Sequence, residues 1–179
     1  MKTSVVALQD CIQEFGQQNF ADAATAVNSI DLSMVKLKLM DPEEGKGWSL
    51  EQANHAEIRY RRYLCMVFVH RDGSIVPTQD VDAFWHQHIL DTRAYAKDCE
   101  RVFGEFIHHF PYFGMRGEAD AQNLASSFEE TCAIYASAFG EEYGRDDMKS
   151  SKCGNSRCGS GKCTKCGTGH CHHPINPPQ

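Results

Sequence analysis

No window of this chain approaches the ~18 uncharged apolar residues that a membrane helix needs. The first residues, Met1, Lys2, Thr3, Val5 and Val6, carry no long apolar run ahead of a cleavage site. These two absences predict a soluble, cytoplasmic protein without membrane contact. Also missing are a phosphate loop, a dinucleotide glycine fingerprint, a G-x-S-x-G elbow and an H-E-x-x-H zinc motif, so none of those chemistries has support in the sequence. No stretch alternates cleanly at period two, which argues against a sheet. Residues 149–179 contain no acid and no aromatic side chain. Their basic residues therefore lack the stacking platforms of a nucleic-acid binder, and the acidic remainder argues against one as well.

What is present suffices for one core. The 179 residues are 41 % hydrophobic and 10 % aromatic, the proportions of a single compact domain. The net charge of −6 resolves into +5 for residues 149–179 (Lys149, Lys152, Arg157, Lys162, Lys165) and −11 for the preceding 148. Cysteine divides the chain at the same place: Cys11, Cys65, Cys99 and Cys132 are scattered, while the other five of the nine crowd into residues 153–171. An odd total in a chain without a secretion signal points to metal or redox chemistry rather than structural bridges. The expected organisation is a single all-α domain of five to six helices over residues 1–148. A Cys/His/Gly-rich basic tail over 149–179 follows it, disordered until a metal orders it.

Apolar spacing predicts the helices. Val5, Leu8, Cys11, Ile12 and Phe15 form a first stripe that stops at Gly16. Phe20, Ala24 and Val27, then Ile30, Val35, Leu39 and Met40, predict one broken or two short helices ending at Asp41-Pro42. Ser49 and Gln52 have the form of a capping box opening a long helix through Phe68, although Met66–Val69 also carries a strand signal. Thr78 as N-cap, with Asp80 and Asp82 in the first turn, opens a central helix whose stripe (Val81, Phe84, Trp85, His88, Thr92, Tyr95, Cys99, Phe103) runs to Gly104. A last stripe from Leu124 to Phe139 closes at Gly140.

Histidine concentrates on the central helix and just after it. His86 and His88 lie ~200° apart on a helix, so they face opposite sides and have different roles. His88 sits in the apolar stripe and reads either as a core histidine or as a ligand or base completed by Cys99, His108 or His109 folding back after Gly104. His86 has Asp82 four residues before it, either as a surface pair or as the partner that fixes the tautomer of a metal-bound imidazole. His108-His109-Phe110-Pro111 implies a constrained turn.

These residues carry a resemblance. Over roughly residues 30–115 the chain resembles the glycine-rich domain-containing protein-like family, which joins a Tyr-rich helix, a VPT-like loop, D-x-x-W-H-x-H-I-L-D-T, Y-x-x-x-C and H-H-x-P. The matching positions are Tyr60, Pro77, Thr78, Asp82, Trp85, His86, His88, Asp91, Thr92, Tyr95, Cys99, His108, His109 and Pro111. The resemblance implies a helical domain without a settled reaction, often followed by a glycine-rich tail, and plant relatives associated with stress response and development. Here the tail departs from a plain glycine spacer by placing Lys and His between its cysteines.

The tail spacing is Cys153-x4-Cys158-x4-Cys163-x2-Cys166-x4-Cys171, with His170, His172 and His173 at its end. The two-residue gap lets Cys163 and Cys166 reach one tetrahedral centre, and thiolate with imidazole suits zinc or copper(I). The second C-x2-C of a zinc finger is missing. The expected function is metal binding or handling by the tail, with the body as a docking surface for a protein partner or as a second histidine site. One rival is a metalloenzyme whose body site draws on Asp82, His86, His88, Cys99, His108 and His109. Another is an interaction module with a modified or redox-sensitive tail.

Overall fold

The computed structural model describes residues 19–71 and 73–144, which all belong to one compact unit, Met1–Arg145. The stripe expected over residues 5–15 and the whole cysteine tail lie outside the described residues. Those described form an all-α fold, with no strand among them.

Six helices build it. α1 (residues 19–28) and α2 (Ser33–Met40) are separate, as the break between Val27 and Ile30 predicts. α2 stops before Pro42, and the Asp41 side chain accepts the backbone N–H groups of Glu43 and Glu44 to form the turn. α3 (Leu50–Val69) opens with the expected capping box between Ser49 and Gln52, a device worth ~1 kcal/mol, and it absorbs Met66–Val69 as helix. The four-residue strand signal loses because the preceding turns of α3 are already formed and Met66 is needed in the core.

The expected central helix is two helices, α4 (Gln79–Leu90) and α5 (Thr92–Phe103). Asp91 leaves helical geometry at φ −81°, ψ 71°, and its side chain accepts the N–H of Ala94, so the chain ends one helix and caps the next at a single residue. Thr78 occupies the N-cap position of α4 but makes no capping bond; its hydroxyl accepts from the Arg59 guanidinium and donates to Asp80 instead. α6 (Glu118–Phe139) starts a turn and a half earlier than the apolar stripe suggests and ends at Gly140, which takes the left-handed conformation at φ 69°.

The core lies between α3 and α4, with α2 and α5 against them. Tyr60, Tyr63, Leu64 and Met66 of α3 meet Val81, Phe84 and Trp85 of α4. Arg61 ties α3 to the turn after α1 by donating to the carbonyls of Val27 and Ile30 while pairing with Glu57. Arg62 reaches α6 and its end, donating to the Tyr135 hydroxyl and to Glu141. The fully buried Thr131 of α6 accepts from the N–H of Val76 and so holds the segment before α4. α4, which carries both histidines, packs against α2, α3 and α5.

A candidate metal centre at the mouth of a groove

His88 and His86 do face opposite sides of α4, and the structure gives them different surroundings. His88 is 2 % exposed. Its Nδ1 lies 2.9 Å from the Tyr60 hydroxyl and its Nε2 lies 3.2 Å from the Asp98 carboxylate. A carboxylate only accepts, so Nε2 carries the proton, and the neutral ring accepts the Tyr60 O–H at Nδ1. Burial holds the His88 pKa below its ordinary value even though Asp98 favours the charged ring. Burial likewise drives the Tyr60 phenol well above its usual range. With both nitrogens engaged, His88 joins α3, α4 and α5 inside the core and contributes no ligand atom to the groove. Cys99 is buried too, with its thiol pushed up by burial.

On the other face, Asp82 and His86 stand one turn apart and His109 comes to them from the segment after α5. The His109 Nε2 lies 3.0 Å from Asp82 Oδ1 and 3.1 Å from His86 Nε2, and His86 Nδ1 lies 3.7 Å from Asp82 Oδ2. One ligand atom from each residue can be chosen so that all three fall within 4.8 Å of one another. Ligands bound at about 2.0–2.2 Å to one ion stand roughly 2.8–3.1 Å apart as octahedral neighbours and roughly 3.3–3.6 Å apart in a tetrahedron, and the two shorter separations match the former and fall just short of the latter. The two facing imidazole nitrogens share room for one proton, which is the place a cation would take.

A chain of hydrogen bonds delivers His109. α5 ends at Gly104, left-handed at φ 73°, and the backbone turns back along α4. The Trp85 indole N–H donates to the Tyr95 hydroxyl at 2.9 Å, and that hydroxyl donates to the Ile107 carbonyl at 2.6 Å, two residues before His109. The His109 ring then packs edge-on to Trp85 at 4.7 Å between centroids. Further on, the Asp120 carboxylate accepts the backbone N–H groups of Gly114 and Arg116 together with the Arg116 guanidinium, which closes the loop onto α6. His108, the neighbour of His109, points elsewhere and packs on Phe106 at 4.8 Å.

Of the body residues singled out from the sequence, Asp82, His86 and His109 come together, whereas His88, Cys99 and His108 do not join them. The sequence offered Asp82 both as a partner of His86 and as a member of the candidate body site, and the fold sets its carboxylate among the converging ligand-type atoms. Tyr95, which holds the segment bearing His109, and Tyr60 and Asp98, which hold His88 in the core, were not singled out for those tasks, since nothing in a helical stripe distinguishes a hydroxyl that bridges from one that only packs.

The cluster lies on the wall of a groove of about 760 Å³ between α3, α4 and the 106–116 segment, a volume typical of small-molecule sites. Tyr63 and Trp85 form part of its floor, and Phe106, Phe110, Phe113 and Arg116 part of its walls.

Fold and site together define an all-helical protein with a two-histidine, one-carboxylate cluster open to a groove. The chain belongs to the UCP032817-like family, which residues 27–136 match. It is similar to Glycine-rich domain-containing protein 1 of Arabidopsis thaliana, 32 % identical over 92 residues, and to Glycine-rich domain-containing protein 2 of the same plant, 30 % identical over 92 residues. Each alignment covers 49 % of this chain and 11 % of the relative, so the chain spans about a tenth of the length of these curated relatives. No solved structure matches it. Among the described residues no helix is long and apolar enough to cross a membrane.

Proposed function

We propose that the helical body is a metal-dependent domain whose single divalent ion is held by Asp82, His86 and His109 and keeps open positions toward the groove. The observation that carries this reading is the convergence of three ligand-type side chains, two from α4 and one from a segment 23 residues beyond His86, on one point at 3.0 and 3.1 Å. Three protein ligands with an open position are the arrangement of metal sites that do chemistry, whereas structural sites are closed by four. Such an ion supplies a Lewis acid and an acidified water. The chain's own part is to hold the His109 imidazole through Trp85 and Tyr95, to carry His86 and Asp82 one turn apart on α4, and to present a groove beside them. Nitrogen and oxygen donors without sulfur favour zinc or another borderline divalent ion over copper(I) at this point.

The Cys163-x2-Cys166 spacing supports a second reading in which the tail binds zinc or copper(I) with Cys153, Cys158, Cys171 and the closing histidines. The two readings make the chain a metalloenzyme or a metal-handling protein, and one experiment separates them. The full-length chain, a variant with Asp82→Asn and His86→Ala, and a variant with Cys163→Ser and Cys166→Ser are prepared under reducing conditions and titrated with zinc. Elemental analysis and native mass spectrometry then count bound ions. The body reading expects the first variant to lose one equivalent that the second retains. Retention of the parent stoichiometry by the Asp82→Asn, His86→Ala protein would overturn it.

A further inference from the structure

We infer that the groove takes a small aromatic carboxylate, its acid group directed to the open coordination position beside His109 and its ring lying between the aromatic walls. The inference rests on the metal reading and names the ligand class of that same site.

Three observations carry it. The first is charge. Residues 1–148 carry a net charge of −11, yet among the described residues that line the groove Asp82 is the one carboxylate, set against Arg71, Arg116 and the imidazoles of His70, His86, His108 and His109. A divalent ion would more than neutralise Asp82 and leave a cationic recess in an acidic body, a field that selects anions. Arg71 and Arg116 have partners, since Arg71 Nη1 donates to the Phe103 carbonyl and lies 3.6 Å from the Glu105 carboxylate, and Arg116 binds Asp120. A guanidinium has five N–H donors, and both side chains remain about half exposed or more, at 46 % and 61 %.

The second observation is the wall. Phe106 and Phe110 are 45 % and 52 % exposed at the rim, above the buried Trp85 and Tyr63. Large aromatic faces left open around a concave site mark a place where a flat apolar body gains the most from leaving water. The third is size. About 760 Å³ exceeds what acetate or carbonate would fill and suits an organic acid with one or two rings. Fixed orientation follows from the two ends: the acid is held at the ion and the ring between the phenylalanines.

The test uses the full-length chain with Cys153, Cys158, Cys163, Cys166 and Cys171 all changed to serine, loaded with cobalt(II), beside the same chain carrying Asp82→Asn and His86→Ala. The probes are 2-naphthoate, 2-naphthol and acetate, followed by calorimetry and by the visible absorption of the cobalt. 2-Naphthoate is expected to bind at least tenfold more tightly than either other probe and to change the cobalt spectrum. Phe106→Ser with Phe110→Ser should weaken it about tenfold while cobalt uptake is unaltered. Acetate binding as well as 2-naphthoate, which is ligation of the ion alone, overturns the inference, as does equal binding of 2-naphthol. If cobalt binds through Asp82 and His86 and its spectrum ignores every probe, the ligand inference falls and the metal reading stands. If the Asp82→Asn, His86→Ala chain takes up as much cobalt as its parent, both fall.

Discussion

His86 and His88 stand two residues apart on α4, and the protein uses the same imidazole in opposite ways. His88 is enclosed by Tyr60 and Asp98, which satisfy both of its nitrogens within the core. His86 is half exposed and faces His109 and Asp82, whose ligand-type atoms converge where a cation fits. In the first setting each polar atom has a neutral or complementary partner, so the network stabilises the fold. In the second, the His109 Nε2 faces both the His86 Nε2 and the Asp82 carboxylate, so a single N–H would serve two acceptors at once, and a cation bound at that point would engage all three. Donor and acceptor complementarity, more than histidine content, separates a structural imidazole from a candidate ligand.

The largest expected effect would break this contrast directly. His88→Ala leaves a cavity and strands the Tyr60 hydroxyl and the Asp98 carboxylate, and should destabilise the protein by about 3–4 kcal/mol. His86→Ala on the exposed face should change stability of the metal-free protein by no more than about 0.5 kcal/mol while abolishing zinc binding to the body. Urea unfolding of each variant with and without zinc measures both. A large loss of stability in metal-free His86→Ala would put the two histidines in one structural class.

Zinc itself should act on only one region. At a free concentration about a hundred times its dissociation constant, a metal bound to the folded state alone adds about 2.7 kcal/mol, and Asp82→Asn should remove that increment in the chain with the tail cysteines changed to serine. Thermal unfolding at fixed zinc reads it out.

Gly114→Ala sharpens the comparison from the loop. Gly114 has φ 87°, and an added Cβ would come within 2.6 Å of the Leu124 side chain. Substitution should cost roughly 1–3 kcal/mol through strain and contact, and it should weaken zinc binding as the segment bearing His109 shifts. Tyr95→Phe is subtler. It deletes the hydroxyl that joins Trp85 to Ile107, with an expected loss of about 1–2 kcal/mol and a several-fold weaker zinc affinity although no ligand is touched.

The smallest effect concerns acid. Burial pushes the Glu57 carboxyl up, but hydrogen bonds and charge from Lys36 and Arg61 outweigh it and leave the pKa below its ordinary value. A carboxylate depressed in the folded state contributes stability that is fully present above its unfolded pKa and is lost as pH falls through the folded one. Glu57→Gln should therefore flatten the acid limb of a stability–pH profile slightly and leave zinc stoichiometry unchanged, because Glu57 serves the fold alone.

Local chemistry sufficed for much of this. The period of the apolar residues placed α2, α3 and the end of α6, Ser49 and Gln52 announced the capping box, and the 100° step per residue put His86 and His88 on opposite faces. These are properties of a few neighbouring residues, so the sequence determines them directly. The break at Asp91 was less legible, since the apolar stripe runs on through it and only the side chain's choice of the Ala94 N–H reveals the second cap. Which histidine joins Asp82 and His86 was not legible at all. That choice depends on the path of the segment after Gly104, drawn back onto α4 by a hydroxyl that bridges Trp85 and Ile107. His108 and His109 are equivalent in any spacing argument, and only the direction of the backbone at Ile107 sends one to the cluster and the other to Phe106. Periodicity acts over a turn or two of chain, whereas a site assembled across 27 positions is decided by tertiary packing.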